Sequence, residues 1–187
     1  MTNFVLTTKL YIPPTQPELV LRPHLIKKIN EGLHRKLTLI SAPAGFGKTT
    51  LVSDWIANPQ LDGEKGSQSG NRTSGNQNRV AWLSLDEGDN DLGRFLIYFI
   101  AAIQTVEPDI GLEPLAALQS SGATNSEAVL MALLNEIAGL PQTLVLILDD
   151  YHVIANQSID KALTFFLDHL PATMHLVITT RIDPPLP

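Results

Sequence analysis

The chain has 187 residues, a formal charge of -6 and 44% hydrophobic composition, enough for one principal α/β domain with a real core and not for two. The acidic balance excludes a general nucleic-acid-binding surface, which is built from excess Lys and Arg. With no cysteine, neither a disulfide nor a thiolate metal site can form. The N-terminus lacks a signal pattern, and the longest greasy stretch, Phe95 to Ile103, is far short of a membrane span, so a soluble, cytoplasmic chain with no membrane contact is expected.

Residues 1–21 carry Pro13, Pro14 and Pro17 and read as an extended arm lying across a domain. Arg22 to Leu33 predicts a short amphipathic helix with Leu25, Ile26, Ile29 and Leu33 on one face. Its polar side, with Arg22, His24, Lys27, Lys28 and the Arg35-Lys36 that follows, is locally basic and reads as a solvated face. Residues 1–36 thus form a lead-in to a core expected over 37–187.

The core opens with the apolar run Leu37 to Ile40, a strand, followed by Ala42-Pro-Ala-Gly-Phe-Gly-Lys-Thr-Thr50 and a helix from Lys48 to about Ala57. This fits the phosphate-loop pattern G-x-x-x-x-G-K-[ST] except at Ala42, which stands for the first glycine and needs a negative φ. The cradle runs from Ala44 to Thr50. Backbone N–H groups at Gly45, Phe46, Gly47 and Lys48 can wrap a phosphate at a helix N-terminus, where the macrodipole favours negative charge. The Lys48 ammonium adds a mobile cation, and the Thr49 hydroxyl can ligate Mg2+ bridging the last phosphates of a nucleoside triphosphate.

Residues 63–78 hold no apolar side chain and read as a flexible surface insertion. Val80 to Leu85 predicts the second strand, with Trp82 on the core side, closed by an acidic turn over Asp86 to Asp91. That turn lacks the spacing of a calcium loop. Helices are predicted at about Leu92 to Thr105 and Ser126 to Gly139, the second capped by Asn125 or Ser126. Leu144 to Leu148 is a continuous apolar run, the pattern of a parallel strand buried on both faces, and it ends in Asp149-Asp150. A helix at about Ser158 to Leu170 leads to the last strand, His175 to Thr180, which ends at Arg181. Strands alternating with helices predict a parallel α/β sheet with ligands at the carboxyl ends of its strands.

Three strands then deliver polar groups to one edge. Asp149 stands where a phosphate-loop ATPase holds Mg2+, usually through water. Asp150 beside it could orient or deprotonate an attacking water, though an aspartate there, shorter than glutamate, favours slow hydrolysis or a hold-and-switch role. Arg181 offers a fork of donors for the terminal phosphate. His152 reads as a residue held by one of the carboxylates rather than as a catalyst.

Pro43 to Leu51, Trp82-Leu-Ser-Leu-Asp-Glu-Gly-Asp-Asn-Asp91, Leu148-Asp-Asp-Tyr-His152 and Ile178-Thr-Thr-Arg181 together resemble the ATPase module of MalT-like, LuxR-type transcriptional activators, in the STAND class of signal-transduction ATPases. Thr8-Lys-Leu-Tyr-Ile-Pro-Pro14 and Leu21-Arg-Pro23 resemble that family's lead-in. The resemblance implies a three-layer P-loop NTPase fold of ASCE type and an ATP/ADP switch with Mg2+. It also implies self-association or contact with other regulator domains, with DNA bound elsewhere than in this chain. By match, Lys48 and Thr49 carry the phosphate and metal roles, Asp149 the metal, Asp150 the water and Arg181 the sensor, while Arg22 lies near the adenine. In related sheets the first strand lies between the Arg181 strand and a fifth strand. That strand and the lid would come after Pro184-Pro-Leu-Pro187, so a sheet of about four strands with an exposed first strand is expected, from a piece of a larger regulator or a remnant that pairs with another polypeptide. Two other readings compete: a degenerate fragment acting only in protein interaction, and a small P-loop phosphotransferase.

Overall fold

In a computed structural model, residues 5–15, 22–58, 79–121 and 126–186 are described. The expected insertion at 63–78, Leu21 and the alternative cap Asn125 lie outside the described residues. The elements run α1 (Pro23–Gly32), β1 (Leu37–Ser41), α2 (Lys48–Ala57), β2 (Arg79–Ser84), α3 (Leu92–Gln104), α4 (Leu112–Ser121), α5 (Ser126–Ala138), β3 (Leu144–Asp149), α6 (Gln157–Asp168) and β4 (Met174–Thr180). The four strands form one parallel sheet in the order β1-β4-β3-β2. β4 is thus inserted between the strand that feeds the glycine loop and the strand that ends in Asp149, the arrangement expected of an ASCE-type sheet. Among the described residues β1 pairs with β4 alone, and its Leu39 is 40% exposed.

Strand alternation divides the sheet into two apolar faces. Leu144, Leu146 and Leu148 of β3 join Ala81, Leu83, Leu176 and Ile178 in the larger core, covered by α3, α5 and α6. Val145 and Ile147 face the other way with Trp82 and Val177, against Ile26 and Ile29 of α1 and Leu51, Val52 and Trp55 of α2. Helices on both faces of a buried parallel sheet make three layers. Trp82 is fully buried, as its place on the core side of the strand predicts, and its indole N–H donates to Ser84 Oγ at 2.8 Å. The Asn30 side chain ties α1 to α2 by accepting from the Trp55 indole at 2.7 Å.

Two expectations are corrected. The arm is not extended throughout: Thr7–Leu10 winds into a 3-10 turn against β2. The cause is Lys9, whose ammonium is buried against Asp89 and Asp86 of the acidic turn and lies 4.5 Å from the Tyr98 ring centroid. An extended backbone leaves that contact to chance, whereas the turn hydrogen bond from Lys9 N–H to the Leu6 carbonyl fixes it. The second correction is α4, a helix where none was expected. Pro114 punctuates its sequence but sits in the first turn, where its missing N–H has no helical partner to lose. No helix among the described residues is long and apolar enough to cross a membrane.

Candidate functional site

The glycine loop joins β1 to α2 by a backbone that only glycine adopts without strain. Gly45 has φ +82° and Gly47, the cap of α2, has φ +72°. A side chain at Gly45 would meet nothing within 4 Å, so conformation rather than space requires glycine there. Ala42 is not among the residues of positive φ, which removes the objection to alanine at the first loop position. The amides of Gly45, Gly47, Lys48 and Thr49 find no acceptor among the described residues, so the loop presents a row of donors at a helix N-terminus.

Lys48 folds back over this loop. Its ammonium donates to the Ala42 carbonyl at 2.8 Å and to the Pro43 carbonyl at 3.2 Å, and the residue is 8% exposed. Thr50 lies in the first turn of α2, and Ala44 in the turn ahead of Gly45. Arg22, at the cap of α1, reaches the loop from outside and donates from Nη1 to the Phe46 carbonyl at 2.9 Å. Its observed contact is therefore with the loop backbone. The Phe46 side chain is 59% exposed.

β3 brings Asp149 to the same edge. The Thr49 hydroxyl lies 3.0 Å from both carboxylate oxygens of Asp149, joining residues 100 positions apart. The Thr179 hydroxyl donates to Asp149 Oδ1 at 2.6 Å. Burial pushes the Asp149 carboxyl above its ordinary value, with the Asp150 charge adding to it, while the two threonine hydroxyls and Lys48 pull the other way. Asp150 follows with φ +62°, the one non-glycine residue of positive φ among those described. Its N–H donates to Thr179 Oγ1 at 3.0 Å.

His152 Nδ1 lies 3.6 Å from Asp150 Oδ1, too far for a hydrogen bond, and that buried nitrogen has no other partner among the described residues. Burial depresses the imidazole from its ordinary value, helped by Arg181 and Lys48 and opposed by Asp150 and Asp149. Arg181 is exposed at the end of β4, near enough for its charge to be felt at His152. Lys48, Thr49, Asp149, Asp150 and Arg181 therefore share one edge.

Two residues were missed by sequence reasoning. Thr179 stood inside the Ile178-Thr-Thr-Arg181 motif, but a β-branched residue in a buried strand reads as a strand former. Asn90 stood in the acidic turn, where its amide binds across to the segment after Asp149. Its Nδ2 donates to the Val153 carbonyl at 2.8 Å, its Oδ1 accepts from Ala155 N–H at 2.6 Å, and its carbonyl accepts from Asn156. Nothing in the spacing could have paired positions so distant in sequence.

Comparison with curated proteins supplies the remaining observation. The chain is 35% identical over 182 residues to the HTH-type transcriptional regulator MalT of Yersinia pestis (strain Pestoides F), covering 97% of this chain and 18% of that protein. The same regulator from Yersinia pseudotuberculosis (serotype O:1b, strain IP 31758) and from Klebsiella pneumoniae (strain ATCC 700721 / MGH 78578) matches at the same identity and coverage. Along nearly its whole length the chain is similar to one part of MalT. It spans 18% of the length of these curated MalT relatives. No protein-family model matches it. The MalT likeness extends along nearly the whole chain and so includes the glycine loop, β3 and β4.

Proposed function

We propose that this MalT-like segment is a nucleotide-binding switch module, holding ATP or ADP with Mg2+ and hydrolysing ATP slowly or with the help of a partner. The observation that carries the reading is the contact between Thr49 and Asp149, which sets a hydroxyl and a carboxylate together beside a loop of free amide donors. Hydroxyl and carboxylate oxygens suit a hard cation. Among the described residues no group of three or more His, Cys, Asp or Glu side chains could hold a metal by itself, so the remaining ligands would come from phosphate and water, as Mg2+ prefers. When bound, Mg2+ would neutralise phosphate charge and orient the terminal group.

The chain's own residues supply the rest. The amides of Gly45, Gly47, Lys48 and Thr49 take the phosphate oxygens, and Lys48 exchanges the Ala42 and Pro43 carbonyls for phosphate. Thr49 and Asp149 orient the cation, Asp150 orients the attacking water, and Arg181, exposed and unengaged by hydrogen bonds among the described residues, turns to the terminal phosphate. Arg22 steadies the loop through the Phe46 carbonyl, on the side proposed for adenine. Self-association or contact with further regulator domains transmits the nucleotide state, and this acidic chain leaves DNA to another domain.

Calorimetric titration with ATP and ADP in Mg2+ tests the reading. The wild-type chain binds both, and Lys48→Ala and Asp149→Asn each weaken ATP by about tenfold or more, the size of one lost charge-assisted contact. A well-folded wild type that binds neither nucleotide overturns the reading. Phosphate transfer to a nucleoside or sugar would replace it with a phosphotransferase.

A further inference from the structure

Asp149 accepts from two hydroxyls, and one of them does more than satisfy a lone pair. Thr179 is fully buried, and a hydroxyl has a single proton and two acceptor sites. The proton goes to Asp149 Oδ1, and one acceptor site takes the Asp150 N–H. The hydroxyl therefore cannot rotate without breaking a bond to one carboxylate residue or the other. Asp150 N–H, Thr179 O–H and the Asp149 carboxylate form a chain in which each bond polarises the next.

The place of this bridge in the sheet is informative. The pairing of β3 with β4 ends at Leu148 and Ile178, whereas β4 stays paired with β1 as far as Ser41 and Thr180. Beyond Leu148 the ladder between β3 and β4 is replaced by the Thr179 side chain. It is at this divergence that Asp150 takes its left-handed backbone, a conformation that is strained for a residue with a side chain and persists only when neighbours enforce it.

Resting on the nucleotide-site reading above, we propose that Thr179 is a positioning residue. It occupies Oδ1 of Asp149, leaving Oδ2 the freer oxygen toward the cation, and it holds the left-handed turn that aims the Asp150 carboxylate. It touches neither nucleotide nor water itself.

The test is calorimetric titration of ATP, with and without Mg2+, on the wild type, Thr179→Val, Thr179→Ser and Thr179→Ala. The readout is the ratio of affinities with and without Mg2+, which a merely structural threonine would not move. Both hydroxyl-free variants lose about tenfold of that ratio with metal-free binding unchanged, and Thr179→Ser, which keeps the hydroxyl, stays within about threefold of wild type. Thr179→Ala is the second hydroxyl-free variant should the valine methyl against the Asp150 amide prevent folding. A folded hydroxyl-free variant with the wild-type ratio overturns the role of Thr179 alone. A wild type that binds no nucleotide overturns the site reading and this inference with it.

Discussion

Lys9 and Asp89, 80 positions apart, form an ion pair in which the lysine is 6% exposed and the aspartate wholly buried. Asp89 also accepts the Asp86 N–H at 2.9 Å and faces Arg94, so one carboxylate gathers the arm, the acidic turn and the start of α3. Lys9→Ala leaves that buried charge with the half-exposed Arg94 as its remaining cation. Breaking a buried pair costs about 3–5 kcal/mol, so urea denaturation of Lys9→Ala should show a loss near the lower bound. A loss under about 1 kcal/mol would mean the arm is not held by this contact.

Asp149 is expected to weaken the nucleotide-free fold. Its folded carboxyl binds a proton more readily than the unfolded one, because burial dominates its environment. The ionised form present at pH 7 therefore opposes folding. Asp149→Asn, measured in EDTA by scanning calorimetry, should melt higher, by about 2–4 °C for each kcal/mol recovered. The same variant should lose the Mg2+ enhancement of ATP binding. A lower melting temperature would contradict the first expectation.

Acid should destabilise the chain from near neutrality. Burial holds the His175 imidazole below its ordinary value of 6.5, as does neighbouring His34, against the Arg35 carbonyl that pulls it up. The ring stays engaged at both nitrogens, with Thr38 Oγ1 at 3.0 Å and Arg35 O at 2.6 Å. His152 is depressed in the same direction. Below about pH 6.5 the unfolded chain takes up protons that the folded chain resists, so stability falls as pH falls, by up to about 1.4 kcal/mol per pH unit for each histidine. Urea midpoints from pH 7.5 to 5.5 measure this, and His175→Gln should flatten the slope.

Asn90→Ala should loosen the segment after Asp149 without touching the loop of β1. It removes both side-chain bonds to that segment, to the Val153 carbonyl and the Ala155 amide. The part-buried Val153 carbonyl left unpaired costs on the order of 1 kcal/mol, whereas the exposed Ala155 amide turns to water at little cost. Hydrogen exchange at Val153 to Asn156 should quicken, while the amides of β3 keep their protection.

The sheet was legible because β3 is an unbroken apolar run and the glycine loop has a spacing that chemistry dictates. Lys48, Thr49 and Asp149 could be named for the same reason. What escaped were partnerships whose two halves lie far apart in sequence. Lys9 sits in a stretch read as an extended arm, and no local pattern announces a burial partner 80 residues away. Thr179 carried the right signal, a polar residue near a strand end, but only the fold reveals that its hydroxyl faces Asp149. Residues 112–121 were passed over because a proline in a first turn looks, in sequence, like a proline in a loop.

β4 has a use beyond filling the sheet. It is joined to the loop strand by its Thr180 carbonyl, which accepts the Ala42 N–H at 3.2 Å, and to Asp149 by Thr179. The span from the loop strand to the strand bearing Asp149 is therefore two strand spacings, roughly 9–10 Å, gauged by the width of one intervening strand. A ruler of backbone does not stretch. Anything that shifts β4 along its axis moves both jaws of the edge together, whereas a change confined to the loop opens one jaw alone.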